Sequence, residues 1–229
     1  MRSRLAAYAG LALVASIALS GCGSDSDDTA TDGSGTGVSC DWQQSGQAAK
    51  DVDPPADHAT ESGEVHAVIA TSVGDIGATL DADAAPCTVS SFVSLADQHY
   101  FDDTSCHRLT TAGILVLQCG DPTGSGSGGP GYAFDDELDA LPQPDSDGTI
   151  AYPAGTLAMA NAGPDTNGSQ FFIVYGDSRL PPAYTVFGTV DDAGLTLVKK
   201  VAAAGTDNAN GPGDGHPTTA VDISAVTVG

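Results

Sequence analysis

The sequence predicts a mainly β domain, either an antiparallel barrel or a sandwich, with two helices. Three observations support this fold class. From residue 65 onward, short runs of apolar residues alternate with polar ones, glycine-rich stretches separate these runs, and only two segments have helical periodicity. Many short strands with few helices are typical of barrels and sandwiches, in which turns connect neighbouring antiparallel strands.

The first element is a predicted β-hairpin over residues 65–80. Val65, Ala67 and Ile69 alternate with polar or small residues, a turn-like segment at 72–75 interrupts the pattern, and the alternation then resumes. A period of two places one set of side chains on a buried face of the sheet. Further strand-like runs follow at residues 155–160, 171–175, 185–190 and 221–228.

Two amphipathic helices are predicted, over residues 86–97 and 191–204. The first begins with proline, which suits a first helical turn, and its apolar stripe consists of Val89, Phe92, Val93 and Ala96. The second has acidic residues at its start, two lysines near its end and Gly205 just beyond, as the helix dipole and a glycine cap favour. Its predicted buried stripe is Leu197, Val198 and Val201.

Residues 1–21 are predicted to be a lipoprotein signal peptide. Two arginines precede an uncharged apolar stretch that is too short to span a membrane comfortably, and the segment LSGC at 19–22 resembles a lipobox. An ordinary signal peptide with a chance cysteine is the alternative. A lipid on Cys22 would anchor the exported protein to the outer face of the cell membrane.

Residues 22–63 are predicted to be a lipidated, flexible, acidic tether and lead-in, and residues 64–229 to be the folded domain. The stretch 23–37 consists largely of Gly, Ser, Asp and Thr and contains no large apolar side chain. Such a composition cannot bury enough apolar surface to fold, and it is typical of solvated linkers.

The chain is strongly acidic, with seven Lys and Arg against thirty Asp and Glu and a formal net charge of −23. Nucleic acid is therefore excluded as a partner, because phosphate contacts need clustered basic residues. An electrostatic grip on anionic lipid is excluded for the same reason. We expect a monomer with no cofactor and no metal; the oxygen-rich stretch 207–216 lacks EF-hand spacing and is interpreted as a solvated loop.

Four cysteines follow Cys22, and they are Cys40, Cys87, Cys106 and Cys119. In an oxidising compartment they are expected to form at least one disulfide, but the sequence leaves all three pairings open. None lies in a CxxC motif or in a spacing with His that is typical of zinc sites.

Two features stand out as candidate chemistry. Arg108 is the only Lys or Arg between Lys50 and Arg179, although a structural ion pair alone would explain it. The segment 159–172 (MANAGPDTNGSQFF) is rich in turn-forming residues, yet its amide side chains precede two adjacent aromatics. Amide groups beside an apolar surface suit the binding of an extended peptide.

Four segments together resemble the cyclophilins, a family of peptidyl-prolyl cis-trans isomerases. They are CHRL at 106–109, LQCGDPTGSGSGG at 117–129, MANAGPDTNGSQFF at 159–172 and TVFG at 185–188. Their order and spacing also fit, and the resemblance covers roughly residues 65–229. It implies a closed eight-stranded antiparallel β-barrel capped by two α-helices.

The resemblance also implies roles for individual residues. Arg108 corresponds to the family's catalytic arginine, and Gln118, the second predicted catalytic residue, to the glutamine that opens the family's QGGD-like segment, which here reads QCGD. The substrate, proline-containing segments of exported proteins, would be held by Leu115, Ala160, Asn161, Gln170, Phe172, Leu180 and Tyr184. Leu115 is aligned with a pocket phenylalanine across two extra residues in LTTAGILVLQ.

Three alternatives remain. A cyclophilin-fold binding module or chaperone with little turnover is favoured by leucine in place of the pocket phenylalanine, whereas intact Arg108, Gln118 and Phe172 favour an isomerase. A purely structural envelope lipoprotein would leave all these motifs idle. A thiol hydrolase using Cys106 and His107 is disfavoured, because neighbours on a strand point to opposite faces; His107 is therefore expected to pack in the interior.

Overall fold

The protein was analysed as a computed structural model, which describes residues 37–229. That part of the chain contains fourteen strands and two helices. The strands are β1 (Gln43–Gln44), β2 (Glu64–Thr71), β3 (Gly74–Asp81), β4 (Thr104–Ser105), β5 (Arg108–Thr110), β6 (Val116–Cys119), β7 (Tyr132–Ala133), β8 (Ile150–Tyr152), β9 (Thr156–Met159), β10 (Phe171–Val174), β11 (Ser178–Leu180), β12 (Val186–Val190), β13 (Asp214–Gly215) and β14 (Asp222–Val228). The helices are α1 (Pro86–Asp97) and α2 (Asp192–Ala204).

The hairpin and both helices predicted from periodicity are confirmed. Strands β2 and β3 pair along their full length around a two-residue turn. Helix α1 begins at Pro86 and buries its predicted stripe. The carboxylate of Asp191 accepts a hydrogen bond from the Gly194 amide at the start of α2, and Gly205, with φ of 86°, ends it.

Ten strands form one antiparallel sheet, in the order β13-β5-β6-β10-β9-β12-β3-β2-β14-β4. Strands β4 and β5 lie near opposite ends of this order, yet only Cys106 and His107 separate them in the chain. The sheet must therefore curl until its two ends lie close together. The structure shows a mainly β, curled half-barrel sheet with two helices, and the pairing of the described residues does not show the closed eight-stranded barrel that was predicted. Strand β4 pairs with β14, and β5 pairs with β6 and β13, so no ladder joins the two ends.

The curled sheet separates two apolar clusters, because alternate residues of a strand face opposite sides. Phe171 and Ile173 belong to the main core, which both helices also cover. Phe172 and Val174 belong to a smaller cluster on the other face, together with Leu180. In the main core, the rings of Phe92, Phe101, Phe171 and Phe187 pack with centroids 5.1–5.8 Å apart.

Residues 38–63, which the sequence indicated as a semi-ordered lead-in, pack against the domain. Cys40 forms a disulfide with Cys87 in α1, and β1 pairs with β7. The Trp42 ring packs edge-on against Tyr132 and Phe134, with centroids 5.5 and 5.3 Å away. The signal peptide, Cys22 and the first part of the tether lie outside the described residues.

A second disulfide joins Cys106 to Cys119. Both cysteines are buried on the core face, Cys106 just before β5 and Cys119 at the end of β6. Of the three pairings that the sequence left open, the structure has 40–87 and 106–119. Within residues 37–229, neither helix is long and apolar enough to cross a membrane.

Candidate active site

Three predicted site residues lie in one row across neighbouring strands. Arg108 on β5 is directly opposite Gln118 on β6, and Gln118 is directly opposite Phe172 on β10. Directly opposed residues of an antiparallel pair share a face of the sheet. The register therefore brings a cation, an amide and an aromatic ring together on the face away from the main core.

This row forms part of a small cavity of about 150 Å³. The cavity is lined by Arg108, Ile114, Val116, Gln118, Ala160, Asn161, Phe172, Leu180 and Tyr184. Phe172 and Leu180 are almost fully buried, and the Tyr184 ring meets the Phe172 ring edge-on at 5.6 Å. The result is an apolar notch with one guanidinium at its edge, a shape suited to a compact ring beside a polar group.

The structure corrects the prediction for Leu115, which does not line the cavity. Leu115 packs against the main core, its backbone amide bonds the Ser178 hydroxyl, and its carbonyl accepts from the Tyr175 amide. Ile114 and Val116 supply the apolar wall instead. Since side chains alternate across a strand, an alignment slip of one residue moves the prediction to the wrong face.

A chain of hydrogen bonds fixes the polar side of the cavity. Arg108 Nε and Nη2 donate to the two oxygens of Asp214 at 2.8 and 2.7 Å. Arg108 Nη1 donates to Gln118 Oε1 at 3.3 Å, and Gln118 Nε2 donates to Gln170 Oε1 at 2.9 Å. Gln170 Nε2 then donates to the carbonyls of Gly126 and Gly128, each at 3.0 Å. Each side chain therefore orients the next.

The glycine-rich segment that receives Gln170 is itself folded around a buried carboxylate. Asp121 accepts hydrogen bonds from the amides of Thr123 and Gly126 at 2.7 and 2.6 Å. Burial would raise the pKa of Asp121, but these hydrogen bonds outweigh it and hold the pKa below its ordinary value. A Cβ on Gly128 would lie 2.0 Å from the carboxylate, so glycine is needed for this close approach.

Asp214 is a site residue that the sequence analysis missed. It lies in the stretch 207–216, interpreted as a solvated loop, but β13 pairs there with β5 and the carboxylate grips Arg108 with two bonds. That contact holds the pKa of Asp214 below its ordinary value and raises the pKa of Arg108. With thirty acidic residues in the chain, no sequence signal singles out this partner.

For the peptide isomerisation that the sequence resemblance implies, replacing Asp214 by asparagine is expected to lower kcat on the order of tenfold, with KM little changed. Asparagine offers one acceptor oxygen instead of two and removes the charge, and a charge-assisted hydrogen bond contributes about 1.5–3 kcal/mol. The measurement is steady-state kinetics on the full chain. The matched control is Asp145→Asn, which disrupts the exposed Arg179 pair; equal losses in both variants would contradict a positioning role for Asp214.

Asn161 and Ala160 form the edge of the cavity beside the amides. The Asn161 side chain donates to the Ala183 carbonyl at 2.7 Å, which ties its loop to the segment before β12. The Ala160 amide donates to the Gln170 carbonyl at 2.9 Å. Within residues 37–229, the backbone amide and carbonyl of Asn161 make no hydrogen bond, so they are available to an extended peptide.

The comparisons with known proteins agree with this geometry. A sequence profile for "Cyclophilin type peptidyl-prolyl cis-trans isomerase/CLD" matches residues 66–228. The chain belongs to the cyclophilin family. The profile begins within β2, so the packed segment 37–63 precedes the part of the chain that the profile matches.

Several cyclophilins resemble this chain closely. "Probable peptidyl-prolyl cis-trans isomerase B" of Mycobacterium leprae is 50% identical over 198 residues, covering 83% of this chain and 66% of the relative. The protein of the same name from Mycobacterium tuberculosis is 53% identical over 172 residues, covering 73% and 55%. The chain thus spans about half to two thirds of these relatives. A Cryptosporidium parvum cyclophilin crystal structure has a TM-score of 0.59 at 30% identity, covering 72% of this chain and 98% of that one.

The cyclophilin site leaves no thiol beside His107. Cys106 is bonded to Cys119, so the thiol hydrolase alternative is excluded. His107 is buried, as predicted, and neither ring nitrogen has a hydrogen-bond partner among the described residues. Burial lowers the pKa of His107 below its ordinary value of 6.5, although the charge of Asp121 opposes this shift.

The buried His107 is expected to make the protein less stable in acid. Its folded-state pKa lies below 6.5, so below about pH 6.5 the unfolded chain binds a proton that the folded chain resists, and the free energy of unfolding falls. Between pH 7.5 and 5.5 the loss from this group reaches at most about 1.4 kcal/mol. Urea unfolding of wild type and His107→Phe at both pH values measures it; an identical pH dependence in the variant would contradict the expectation.

Proposed function

We propose that this protein is a peptidyl-prolyl cis-trans isomerase acting on X–Pro bonds of exported proteins. The observation that carries the proposal is the Arg108 guanidinium, fixed by Asp214 and Gln118 at the edge of the apolar notch over Phe172. The names of the most similar relatives and the family profile support it. The reaction requires no metal or cofactor.

The catalytic problem is a single barrier. Rotation about a peptide bond costs about 18–20 kcal/mol because it breaks amide resonance, whereas the two X–Pro isomers differ by only about 0.5–1 kcal/mol. Uncatalysed exchange takes roughly 10–100 s, which is slow enough to delay folding. A catalyst therefore needs only to bind the twisted amide more tightly than either planar isomer.

The hydrogen bonds of Arg108 leave it suited to this task. A guanidinium carries five N–H groups. Three of them are used by Asp214 and Gln118, which leaves one on each terminal nitrogen. Twisting returns a lone pair to the prolyl nitrogen, and a remaining N–H can donate to it. Because the group is already oriented and always charged, no reorganisation is required at the transition state.

The rest of the site holds the peptide still while its carbonyl rotates. The proline ring occupies the notch of Phe172, Ile114 and Leu180, where apolar burial favours it. The backbone of Asn161 and the side chain of Gln118 bind the flanking peptide. The Cryptosporidium parvum cyclophilin has also been crystallised in the presence of the dipeptide Ala-Pro, which supports a proline-containing peptide as the ligand.

A direct test uses the full chain and a peptide with one X–Pro bond, with cis-to-trans relaxation followed after a solvent jump. Catalytic amounts of protein are expected to accelerate relaxation in proportion to their concentration. Binding of the peptide with unchanged relaxation would refute the isomerase proposal and support the alternative, a proline-peptide binding module.

We also propose that the protein is an exported, monomeric lipoprotein anchored through Cys22 to the outer face of the cell membrane. The lipobox-like segment supports this, and so do the two disulfides, since disulfides persist in oxidising compartments. In cells fed labelled palmitate, wild type is expected to carry the label and to sediment with membranes, whereas Cys22→Ala carries none. Equal labelling of both would contradict the anchor.

A further inference from the structure

A second, larger cavity adjoins the proline notch. It measures about 530 Å³ and shares Gln118, Ala160 and Asn161 with the notch. A peptide whose proline lies over Phe172 therefore extends into this cavity with a neighbouring residue. Its volume is within the range of about 300–1,000 Å³ typical of ligand sites.

One wall of this cavity comes from outside the family profile. Ser45, Gly46 and Gln47 line it from one side, whereas the profile begins at residue 66. The glycine-rich segment after Asp121 lines it as well, held in place by Gln170. Residues 37–63, here called the wall segment, therefore complete the cavity together with the domain that the profile matches.

The wall segment is anchored at several points along its length. The Cys40–Cys87 disulfide fixes its start to α1, and the Ser45 and Ala49 amides donate to the carbonyls of Gly131 and Gly129 at 2.9 and 2.8 Å. The Trp42 indole donates to the Ala56 carbonyl at 2.8 Å, closing the segment on itself. A Cβ on Gly131 would lie 3.1 Å from Ala48, so the wall segment and the segment around Gly131 are in close contact. These contacts hold the wall segment in place against the domain.

The chemistry of the lining predicts what the cavity accepts. Among the described residues, its lining contains hydroxyl, amide and backbone groups and no Asp, Glu, Lys or Arg. The amide of Gln47 is exposed and makes no hydrogen bond within residues 37–229. A charged side chain would lose water there without gaining a counter-charge, whereas an amide or hydroxyl finds donors and acceptors.

We propose that residues 45–47, held by the Cys40–Cys87 disulfide, form a specificity wall that favours X–Pro segments with an uncharged, hydrogen-bonding residue near the proline. This inference rests on the proposed function, because it describes how the same site chooses its substrates. Gln47 is the residue of the wall that contacts such a side chain.

The test measures kcat/KM of the full chain on alanine-based peptides with one Ala-Pro bond. A single Gln, Glu, Lys or Ala is placed at each of three positions on either side of this dipeptide. Wild type is expected to prefer Gln at one position by about two- to tenfold, the range that one net hydrogen bond supplies. Gln47→Ala should abolish this preference, so that kcat/KM on the Gln peptide falls to the value on the all-alanine peptide, while the control Gln44→Ala, on β1 and outside the cavity, should keep it.

A disulfide-free variant, Cys40→Ala with Cys87→Ala, tests the anchoring and should lose the same preference. A preference for Gln that survives in Gln47→Ala, or that is absent in wild type, overturns the specificity wall. If Gln47→Ala loses the preference but the disulfide-free variant keeps it, the disulfide is not needed to hold the wall. If wild type turns over none of the peptides, the proposed function fails. Kd ratios for the same peptides, from NMR titration, then decide on the wall separately.

Discussion

Arg108→Ala is expected to lower kcat for isomerisation by about 100- to 1,000-fold, the cost of removing one preorganised donor from a catalytic site. KM should change only a few fold, because the apolar notch and the backbone of Asn161 still bind the peptide. Arg108→Lys keeps the charge but cannot bond Asp214 and Gln118 with one planar fork, so its rate should stay near that of the alanine variant.

The matched control for this result is Arg179→Ala. Arg179 is also paired with carboxylates, those of Asp145 and Asp147, but it lies outside the notch and is more exposed. Removing it should leave kcat within about a factor of two, since exposed ion pairs contribute only about 0–1 kcal/mol. A similar loss of kcat in both arginine variants would show that charge or stability, and not the donor, was responsible.

Phe172→Ala has the second large expected effect, a rise in KM on the order of tenfold or more. The ring forms a wall of the notch, and fully burying an apolar side chain contributes about 1.5–3 kcal/mol. The free energy of unfolding also falls, by up to about 3–5 kcal/mol, because the ring is part of the second apolar cluster. Kinetics and urea unfolding of the same preparation separate the two effects.

A pair of adjacent variants isolates binding from stability. Phe171 and Phe172 are neighbours on β10 that face opposite sides of the sheet. Phe171→Leu should lower the free energy of unfolding and leave KM unchanged, whereas Phe172→Leu should raise KM. If both leucine variants raise KM equally, the ring at 172 is not the specific contact that the cavity indicates.

The longer strands and both helices could be predicted because they rest on local patterns, and the central row of the site could be predicted from the family resemblance. Periodicity alone located α1 at residues 86–97, and the motifs located Arg108, Gln118 and Phe172. The apolar wall of the proline notch was less predictable. Two extra residues before β6 left open which of the neighbouring side chains faces the notch, and only the pairing of β6 with the next strand sets that register.

Long-range contacts account for what the sequence did not predict. Asp214 is 106 residues away from Arg108, and only the pairing of β13 with β5 brings them together. The lead-in packs because Cys40 pairs with Cys87, one of three pairings that were open, and because Trp42 meets two aromatics from a distant segment. The open ends of the sheet likewise follow from tertiary pairing and not from local periodicity.

The most direct test of the account is NMR exchange spectroscopy on a saturating X–Pro peptide with full-length wild type and Arg108→Ala. One sample reports both the fraction of peptide bound, from shifts and line widths, and the exchange rate between its cis and trans signals. The account predicts equal bound fractions, with catalysed exchange in wild type and almost none in the variant. Exchange of equal rate in both proteins would contradict it.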